Sequence, residues 1–348
     1  MCAQPECGLI GRKEGEPTMP FANHSNHSNH SNHSNHSNHS NHSGSELNHA
    51  GQGNSGHLSH ALDNIAATFS NVDFPDTVPG PLNDRVVIQR LNPRHLQSML
   101  VDALVKDITV TPIAAKGGTG PTAKVAIPDK EPHFVKQPFH DPENLNAAHN
   151  PTTQLQEVLD QKWIRQDRLA EIIEQQTDII SFFALSVPMG PQTHPALMTL
   201  LAAVNGAVEK ITVQAKHCLS TPRPGHLSSV INPIIQTPAH SSCPSGHAAE
   251  ARGMALALSH LAFRTKIGDL TKDEALSQKH KDLIAIGDRI ADNRVIAGVH
   301  FPQDSVEGQT LADKLLPVFL SRMKAAPRES ALNPLRLIHD MALEELGQ

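Results

Sequence analysis

The sequence predicts an all-α protein, a helical bundle preceded by a long polar tail. Two observations support this fold class. Apolar residues recur at helical spacing (i, i+3, i+4, i+7) over most of the chain from residue 152 to residue 346. No convincing set of segments alternates apolar and polar residues as half-buried strands do. The pattern divides the chain into three regions: 1–58, 59–150 and 151–348.

The first region, residues 1–58, is predicted to be a disordered tail rich in His, Asn and Ser. The triplet Asn-His-Ser repeats seven times from Asn23 to Ser43, and a period of three matches neither helix nor strand. The repeated histidines raise one functional alternative, a protein that handles metal ions with its tail. The plainer interpretation is a repeat expansion with incidental metal affinity. Deletion of residues 1–58 separates the two, because an enzyme keeps its activity and a metal store loses its capacity.

The second region, residues 59–150, is predicted to be an irregular segment that wraps the helical part. Leu91–Val105 can hold a short helix, and stretches rich in proline and glycine surround it.

The third region, residues 151–348, is predicted to be a helical domain. Helices are expected over Thr152–Pro188, over Pro195–Cys218, after His247 as far as the Gly268 region, through Leu276 to Val299, from Pro302, and over Pro334–Leu346. The helix through Leu276 is expected to have its cap at Asp273 or its neighbours, and the helix from Pro302 to have Val306, Leu311, Leu315 and Val318 on one face. The apolar residues that predict the first helix are Leu155, Val158, Leu159, Trp163, Leu169, Ile172, Ile173 and Ile179. Prolines make Thr221–Cys243 irregular.

Composition excludes several classes of protein. The net charge of −6 and an aromatic content of 3% argue against a nucleic-acid partner. The four cysteines form no Cys-x-x-Cys pair, which favours a reducing compartment. The N-terminus lacks the apolar core of a secretory signal, and prolines interrupt the longest uncharged stretch, Ile179–Val208. We therefore expect a cytoplasmic protein without a membrane span; nothing indicates its oligomeric state.

One tetrapeptide, Pro244 to His247, has the pattern of an anion site. An alanine-rich helical run follows it, so Ser245 and Gly246 are expected at a helix N-terminus. Free backbone N–H groups and the helix dipole favour a bound anion there. His247 adds a group that can carry a proton near pH 7.

Charged residues at fixed spacings support this interpretation. Lys216 is separated by six residues from Arg223, which Pro224 follows. Arg294 is separated by five residues from His300, and Asp304 lies one turn further on. A helix break near His300 lets Arg294 and His300 point into one cavity. A cation site at His300 and Asp304 is the alternative, but three positive residues aimed at the same place would repel a divalent cation.

These motifs resemble those of one large superfamily, the type-2 phosphatidic acid phosphatases together with the vanadium haloperoxidases. The shared pattern is Lys-x6-Arg-Pro, Pro-Ser-Gly-His and Arg-x5-His-x3-Asp, and all ten fixed positions are present in order. The departure is Asn293, where the superfamily usually has Ser. The resemblance spans about Trp163 to Leu320. It implies a helical bundle of the acid phosphatase/vanadium haloperoxidase type, with residues 151–348 as the catalytic domain.

The resemblance also implies a role for each motif residue. Lys216, Arg223 and Arg294 would neutralise a phosphate or vanadate, and Ser245 and the Gly246 N–H would donate hydrogen bonds to it. His300 would bond the central phosphorus, or the vanadium if that metal is present. Asp304 would fix the tautomer of His300, and His247 would act as the acid–base group.

Two activities fit one such site. A haloperoxidase would hold vanadate as its cofactor and use hydrogen peroxide to oxidise a halide. A phosphatase would need no cofactor and would hydrolyse a phosphoester through a phosphohistidine. His240 favours the haloperoxidase branch, because algal vanadium bromoperoxidases resemble this stretch and have a histidine seven residues before the motif histidine, in the halide pocket. A plain loop histidine is the alternative at that position, and a soluble acid phosphatase is the alternative function.

Overall fold

Helices make up most of the fold, as the sequence predicts. The structure is a computed structural model that describes residues 91–114, 120–137, 139, 150–271, 277–325 and 333–348. The predicted disordered tail, residues 1–58, lies outside these residues. Within the described residues the elements are α1 (Pro93–Val105), β1 (Thr109–Ile113), β2 (Thr122–Ala126), β3 (His133–Lys136), α2 (Pro151–Asp160), α3 (Arg165–Glu174), α4 (Pro195–Leu219), α5 (Pro224–Leu227), α6 (Gly246–Phe263), α7 (Gln278–Ile296), α8 (Pro302–Ala325) and α9 (Pro334–Glu345).

Helix α6 lies at the centre and packs against α4, α7 and α8. Its alanines and glycine keep the helix thin, so neighbouring backbones come close. A Cβ atom at Gly253 would lie 3.1 Å from Val208 of α4 and 3.2 Å from Leu316 of α8. The N-terminus of α6 therefore meets the C-terminus of α4, the two places where the sequence predicts site residues.

Two glycines bring the remaining site residues to the same end of the bundle. A Cβ atom at Gly308 of α8 would collide with the backbone oxygen of Ser245, so a glycine is needed for α8 to approach the start of α6. Gly298 has a φ of +81°, in the left-handed region that favours glycine, and it ends α7. The predicted helix break before His300 is confirmed by this turn.

A small antiparallel sheet, in the order β1-β2-β3, was not predicted. It packs against α4 and α8, and Ala123, Val125 and Val135 point into the core without solvent exposure. Ala123 pairs with Val135 across the two strands. The sequence pattern missed it because β2 has five residues and only two buried side chains, too few to establish an alternation. The sheet lies within the segment 59–150, which the sequence predicts to be irregular. Residues 59–90 of that segment lie outside the described residues.

Three further sequence expectations were wrong in detail. Trp163 is 80% exposed, because it lies in a short 3₁₀ turn between α2 and α3 instead of on a buried helical face. Val306 of α8 is 48% exposed, because the buried face of that helix runs through Asp304, Leu311 and Leu315. The side chain that caps α7 is Ser277, whose oxygen accepts a hydrogen bond from the His280 N–H. Asp273 lies outside the described residues.

Among the described residues, one helical stretch, Pro195–Leu227, is long and apolar enough to cross a membrane by length and composition. The sequence predicts no membrane-spanning run. Of the window that passes this test, 72% is buried inside the protein. The core helix of a soluble protein passes the same test, so this stretch is weak evidence for a membrane span.

Candidate active site

Lys216 and Arg223 reach the site from the end of α4 and the loop that follows it. Lys216 is 4% exposed, and its Nζ donates hydrogen bonds to the backbone oxygens of Ser241 (3.0 Å) and Ser242 (2.9 Å). Helix α4 ends at Ser220, which has left-handed backbone geometry and turns the chain toward Arg223. Lys216 thus holds the loop before the Pro-Ser-Gly-His tetrapeptide against α4.

The guanidinium of Arg223 joins three parts of the site and is 1% exposed. Its Nη1 donates to the backbone oxygen of Val299 at 2.7 Å, and its Nε donates to the backbone oxygen of His240 at 3.2 Å. The same Nη1 lies 3.4 Å from Nε2 of His300. The arginine is therefore held in position by backbone carbonyls, next to the imidazole that the motif assigns to the reaction.

Ser245 and Gly246 lie at the N-terminus of α6, as predicted. Ser245 is the N-cap residue, and its Oγ accepts from the Ala248 N–H at 3.5 Å. The Ser245 N–H donates to the backbone oxygen of Asp304 at 2.8 Å, which links the start of α6 to the start of α8. Gly246 is the first helical residue, where an N–H has no partner within its own helix. A Cβ atom there would lie 3.2 Å from a carboxyl oxygen of Glu250.

His300 and Asp304 form a buried pair at the junction of α7 and α8. Nδ1 of His300 lies 3.2 Å from Oδ2 of Asp304. That oxygen also accepts from the Ser242 hydroxyl (2.5 Å) and from the Phe301 N–H (2.9 Å). Because a carboxylate only accepts hydrogen bonds, the proton of a neutral His300 belongs on Nδ1. Nε2 then carries the lone pair, and it is the ring nitrogen beside Arg223.

Arg294 and His247 both contact Gln175, at the end of α3. Nη2 of Arg294 donates to the backbone oxygen of Ile172 (3.1 Å) and to Oε1 of Gln175 (3.0 Å). Nε2 of His247 lies 2.8 Å from the backbone oxygen of Gln175. Since a carbonyl oxygen accepts, this ring nitrogen carries a proton. Arg294 is 1% exposed, and its Nε is a buried donor without a partner among the described residues.

The electrostatics of the site favour an anion. Burial lowers the pKa of Arg223 and of Arg294 to about 10 in each case, so both stay charged at neutral pH. Burial, with repulsion from Arg223, lowers the pKa of Lys216 to about 7. Burial raises the pKa of Glu250, one turn along α6, to about 8. The shift favours the neutral form of this carboxyl group near Lys216.

The imidazole of His300 is kept neutral by its surroundings. Burial lowers the pKa of His300 well below its usual range, and the charges of Arg223 and Lys216 lower it further. Burial also raises the pKa of Asp304, while the hydrogen bonds from Ser242 and Phe301 oppose this rise. An uncharged His300 has an available electron pair on Nε2, as a nucleophile or a metal ligand requires.

A cavity of 440 Å³ adjoins the site and shares two lining residues with it, Lys216 and His240. His240 is exposed, and its Nδ1 lies 3.2 Å from Nη2 of Arg223. Two more histidines, His217 and His226, line the same cavity together with Val213. The cavity is large enough for a small organic molecule and has a mixed polar and apolar lining.

The structure connects most of the sequence-predicted site residues through a continuous set of contacts: Lys216, Arg223, His240, Ser245, His300 and Asp304. The side chains of Arg294 and His247 form a second set, in which both contact Gln175. Two buried residues of these sets were missed by the sequence analysis: Ser242, which bonds Asp304, and Gln175, which bonds Arg294. A serine in a proline-rich loop and a glutamine at a helix end carry no signal of their own. Among the described residues, no group of three or more His, Cys, Asp or Glu side chains is arranged to hold a metal ion.

Three buried cationic residues and the neutral His300, close to the N-terminus of α6, make this end of the helical bundle a candidate oxyanion site. Residues 196–313 match the family model of the PAP2 superfamily, the type-2 phosphatidic acid phosphatase superfamily. The match contains all three motifs. Members of this superfamily are generally enzymes. A sequence search of curated proteins finds no match.

Proposed function

We propose that this protein is a vanadium-dependent haloperoxidase, which uses hydrogen peroxide to oxidise a halide. The observation that carries the proposal is the place of His240. Its ring contacts the guanidinium of Arg223, remains exposed, and lines the cavity beside the site. A halide that reaches the anion site through this cavity passes that imidazole, which can donate a hydrogen bond to it.

The residues present fit a tetrahedral oxyanion such as vanadate. The donor set is Lys216, Arg223, Arg294, Ser245 and the Gly246 N–H, with Nε2 of His300 as the atom that bonds the centre. The unpartnered Nε of Arg294 is a further observation in favour, because an unsatisfied buried donor costs about 1–3 kcal/mol and an anion oxygen would satisfy it. Bound vanadate would supply Lewis acidity toward peroxide.

The surrounding residues have distinct tasks in this proposal. The cations hold negative charge, and the arginines are fixed by the backbone carbonyls of Val299 and Ile172 instead of carboxylates, so their charge is not cancelled. Asp304 keeps the His300 proton on Nδ1, so that Nε2 carries the lone pair that would bond the centre. His247 can deliver or accept a proton at the face opposite His300.

A second candidate is an acid phosphatase, favoured by the neutral His300 beside Arg223. Its Nε2 would attack phosphorus, the P–O bond of the ester would break, and His247 would protonate the leaving alcohol. Water would then cleave the P–N bond of the phosphohistidine and release inorganic phosphate. The cavity of 440 Å³ would hold the alcohol part of the ester in this case.

Paired assays on one preparation decide between the two. One assay measures bromination of a phenol dye with peroxide and bromide, with and without added vanadate, from about pH 4 to pH 8. The other measures phosphate release from a chromogenic monoester. The proposal expects vanadate-dependent bromination. We also expect His240→Ala to lower bromide turnover while vanadate affinity stays near that of the wild type. The matched control is His194→Ala, at the far end of α4, which should keep wild-type turnover. Efficient ester hydrolysis without bromination would establish the phosphatase instead.

A further inference from the structure

Gln175 lies directly behind the site, at the C-terminal end of α3. It is fully buried, with no solvent exposure. It also lies outside residues 196–313, the stretch that the family model matches. Nothing in the three motifs therefore gives this residue a function.

Two separate atoms of Gln175 contact two residues of the site. Its side-chain Oε1 accepts from Nη2 of Arg294 at 3.0 Å, and its backbone oxygen accepts from Nε2 of His247 at 2.8 Å. Arg294 belongs to the anion-binding set and His247 is the acid–base candidate. The residue that ends α3 thus contacts an arginine of α7 and a histidine of α6.

The chemistry of this contact matters as much as its geometry. A carboxylate at position 175 would pair with Arg294 and cancel its charge, whereas the neutral amide fixes the guanidinium and leaves its charge available. The Nε2 of Gln175 is a buried donor without a partner among the described residues, as is the Nε of Arg294. Both unpartnered groups are hydrogen-bond donors, the type that an oxyanion satisfies.

Asn293 supports the same arrangement. Its Nδ2 donates to Oε1 of Gln175 at 3.0 Å and to Oε2 of Glu171 at 3.1 Å, and the side chain is fully buried. Its Oδ1 accepts from Arg168 at 3.3 Å. This is the position where the motif usually has Ser, whose shorter side chain carries a single hydroxyl. The asparagine therefore attaches α7 to α3 immediately beside Arg294 and holds the Gln175 amide oxygen from a second direction.

We propose that Gln175 is a positioning residue of the oxyanion site, whose side chain sets the orientation of Arg294 while keeping the charge of Arg294 uncancelled. The inference rests on the proposed oxyanion chemistry but is independent of the choice between haloperoxidase and phosphatase. It assigns part of the site to α3, a helix that precedes the superfamily stretch.

Three variants test it on the full-length protein: Gln175→Ala, Gln175→Glu and, as a matched control, Gln176→Ala. The side chain of Gln176 bonds only the backbone oxygen of Ile173 among the contacts described, away from the site. Binding of inorganic phosphate and of vanadate is measured by titration calorimetry, and folding is checked by thermal unfolding. For Gln175→Ala we expect anion affinity to fall about 10- to 100-fold, the range seen when a residue that orients a ligand-binding group is removed. Gln176→Ala should match the wild type.

Gln175→Glu separates positioning from a general loss of packing. It keeps an acceptor for Arg294 and Asn293, so thermal unfolding should stay close to that of the wild type. Its carboxylate should weaken phosphate binding at pH 7.5 by at least 10-fold, because it pairs with Arg294 and cancels the charge that would hold the anion.

Phosphate affinity within twofold of wild type in both Gln175 variants would overturn the inference, as would an equal loss in Gln176→Ala. A wild-type protein that binds neither anion would overturn the oxyanion site and this inference together. A wild-type protein that binds both anions but performs neither reaction would contradict the proposed function alone, because the variants are compared by binding.

Discussion

Replacement of Asp304 by Asn is a direct test of how His300 is held. Oδ2 of Asp304 accepts three hydrogen bonds, from Ser242, Phe301 and His300, while Oδ1 is buried with no partner among the described residues. The amide oxygen of the variant is therefore expected to take the Oδ2 position, because the Phe301 N–H and the Ser242 hydroxyl both need an acceptor there. The amide NH₂ would then take the Oδ1 position.

This geometry sets the size of the effect. His300 keeps its acceptor, so its proton stays on Nδ1 and Nε2 keeps the lone pair. What Asp304→Asn removes is the negative charge that raises the basicity of the imidazole. Loss of such an orienting partner typically costs 10- to 100-fold, whereas reversal of a catalytic histidine's tautomer costs about 10⁴-fold. We expect kcat/KM to fall about 10- to 100-fold in whichever of the two reactions the wild type performs.

The assay compares kcat/KM and vanadate affinity for wild type, Asp304→Asn and Ser305→Ala. Ser305 is the neighbouring residue on α8, and its hydroxyl is buried with no partner among the described residues, so its removal should change little. Activity of Asp304→Asn within twofold of wild type would show that the carboxylate is not needed. A loss near 10⁴-fold would show that the amide had turned and that the tautomer argument is wrong.

Three further predictions concern the cations, the pH dependence and the packing of the site. Arg223→Ala and Arg294→Ala should each weaken phosphate and vanadate binding, since each removes a charge-assisted contact worth roughly 1.5–3 kcal/mol. Calorimetry should therefore show Kd values raised about 10- to 150-fold. Unchanged affinity in both variants would contradict the anion site. Lys216 is charged below its pKa of about 7 and neutral above it, so vanadate affinity should fall as pH rises through about 7, and Lys216→Met should flatten that profile. Gly308→Ala should lower the free energy of unfolding by about 1–3 kcal/mol and weaken anion binding, because the new Cβ collides with the Ser245 backbone oxygen. Denaturant titration measures the first effect. Wild-type values for both stability and anion binding would show that α8 can move away at no cost.

Much of this site could be predicted from the sequence because its residues occupy fixed positions at helix ends. The spacing of Lys216 and Arg223 places both around the end of α4, and the alanine-rich run after Ser245 marks the start of α6. The turn at Gly298 was predictable because a helix break near His300 lets Arg294 and His300 point into one cavity. These relations are local, within one or two turns of helix, so periodicity and breakers are enough to predict them.

The residues that the sequence did not reveal depend on contacts between distant segments. Gln175 is 119 residues from Arg294, and Ser242 is 62 residues from Asp304. Neither position has a pattern that distinguishes it from an ordinary polar residue at a helix end or in a loop. The sheet was missed for a related reason, because its short strands are stabilised by packing on α4 and α8, which a sequence pattern does not contain.

The central claim, that His300 bonds the centre of an oxyanion held by three cations, is tested most directly by vanadate binding to wild type and to His300→Ala. Titration calorimetry with vanadate, followed by displacement with phosphate, measures this without any turnover. We expect the wild type to bind one vanadate per chain in competition with phosphate. His300→Ala should lose most of the vanadate affinity while still binding phosphate through Lys216, Arg223 and Arg294. Vanadate affinity in His300→Ala equal to that of the wild type, or no competition between the two anions, would contradict the account.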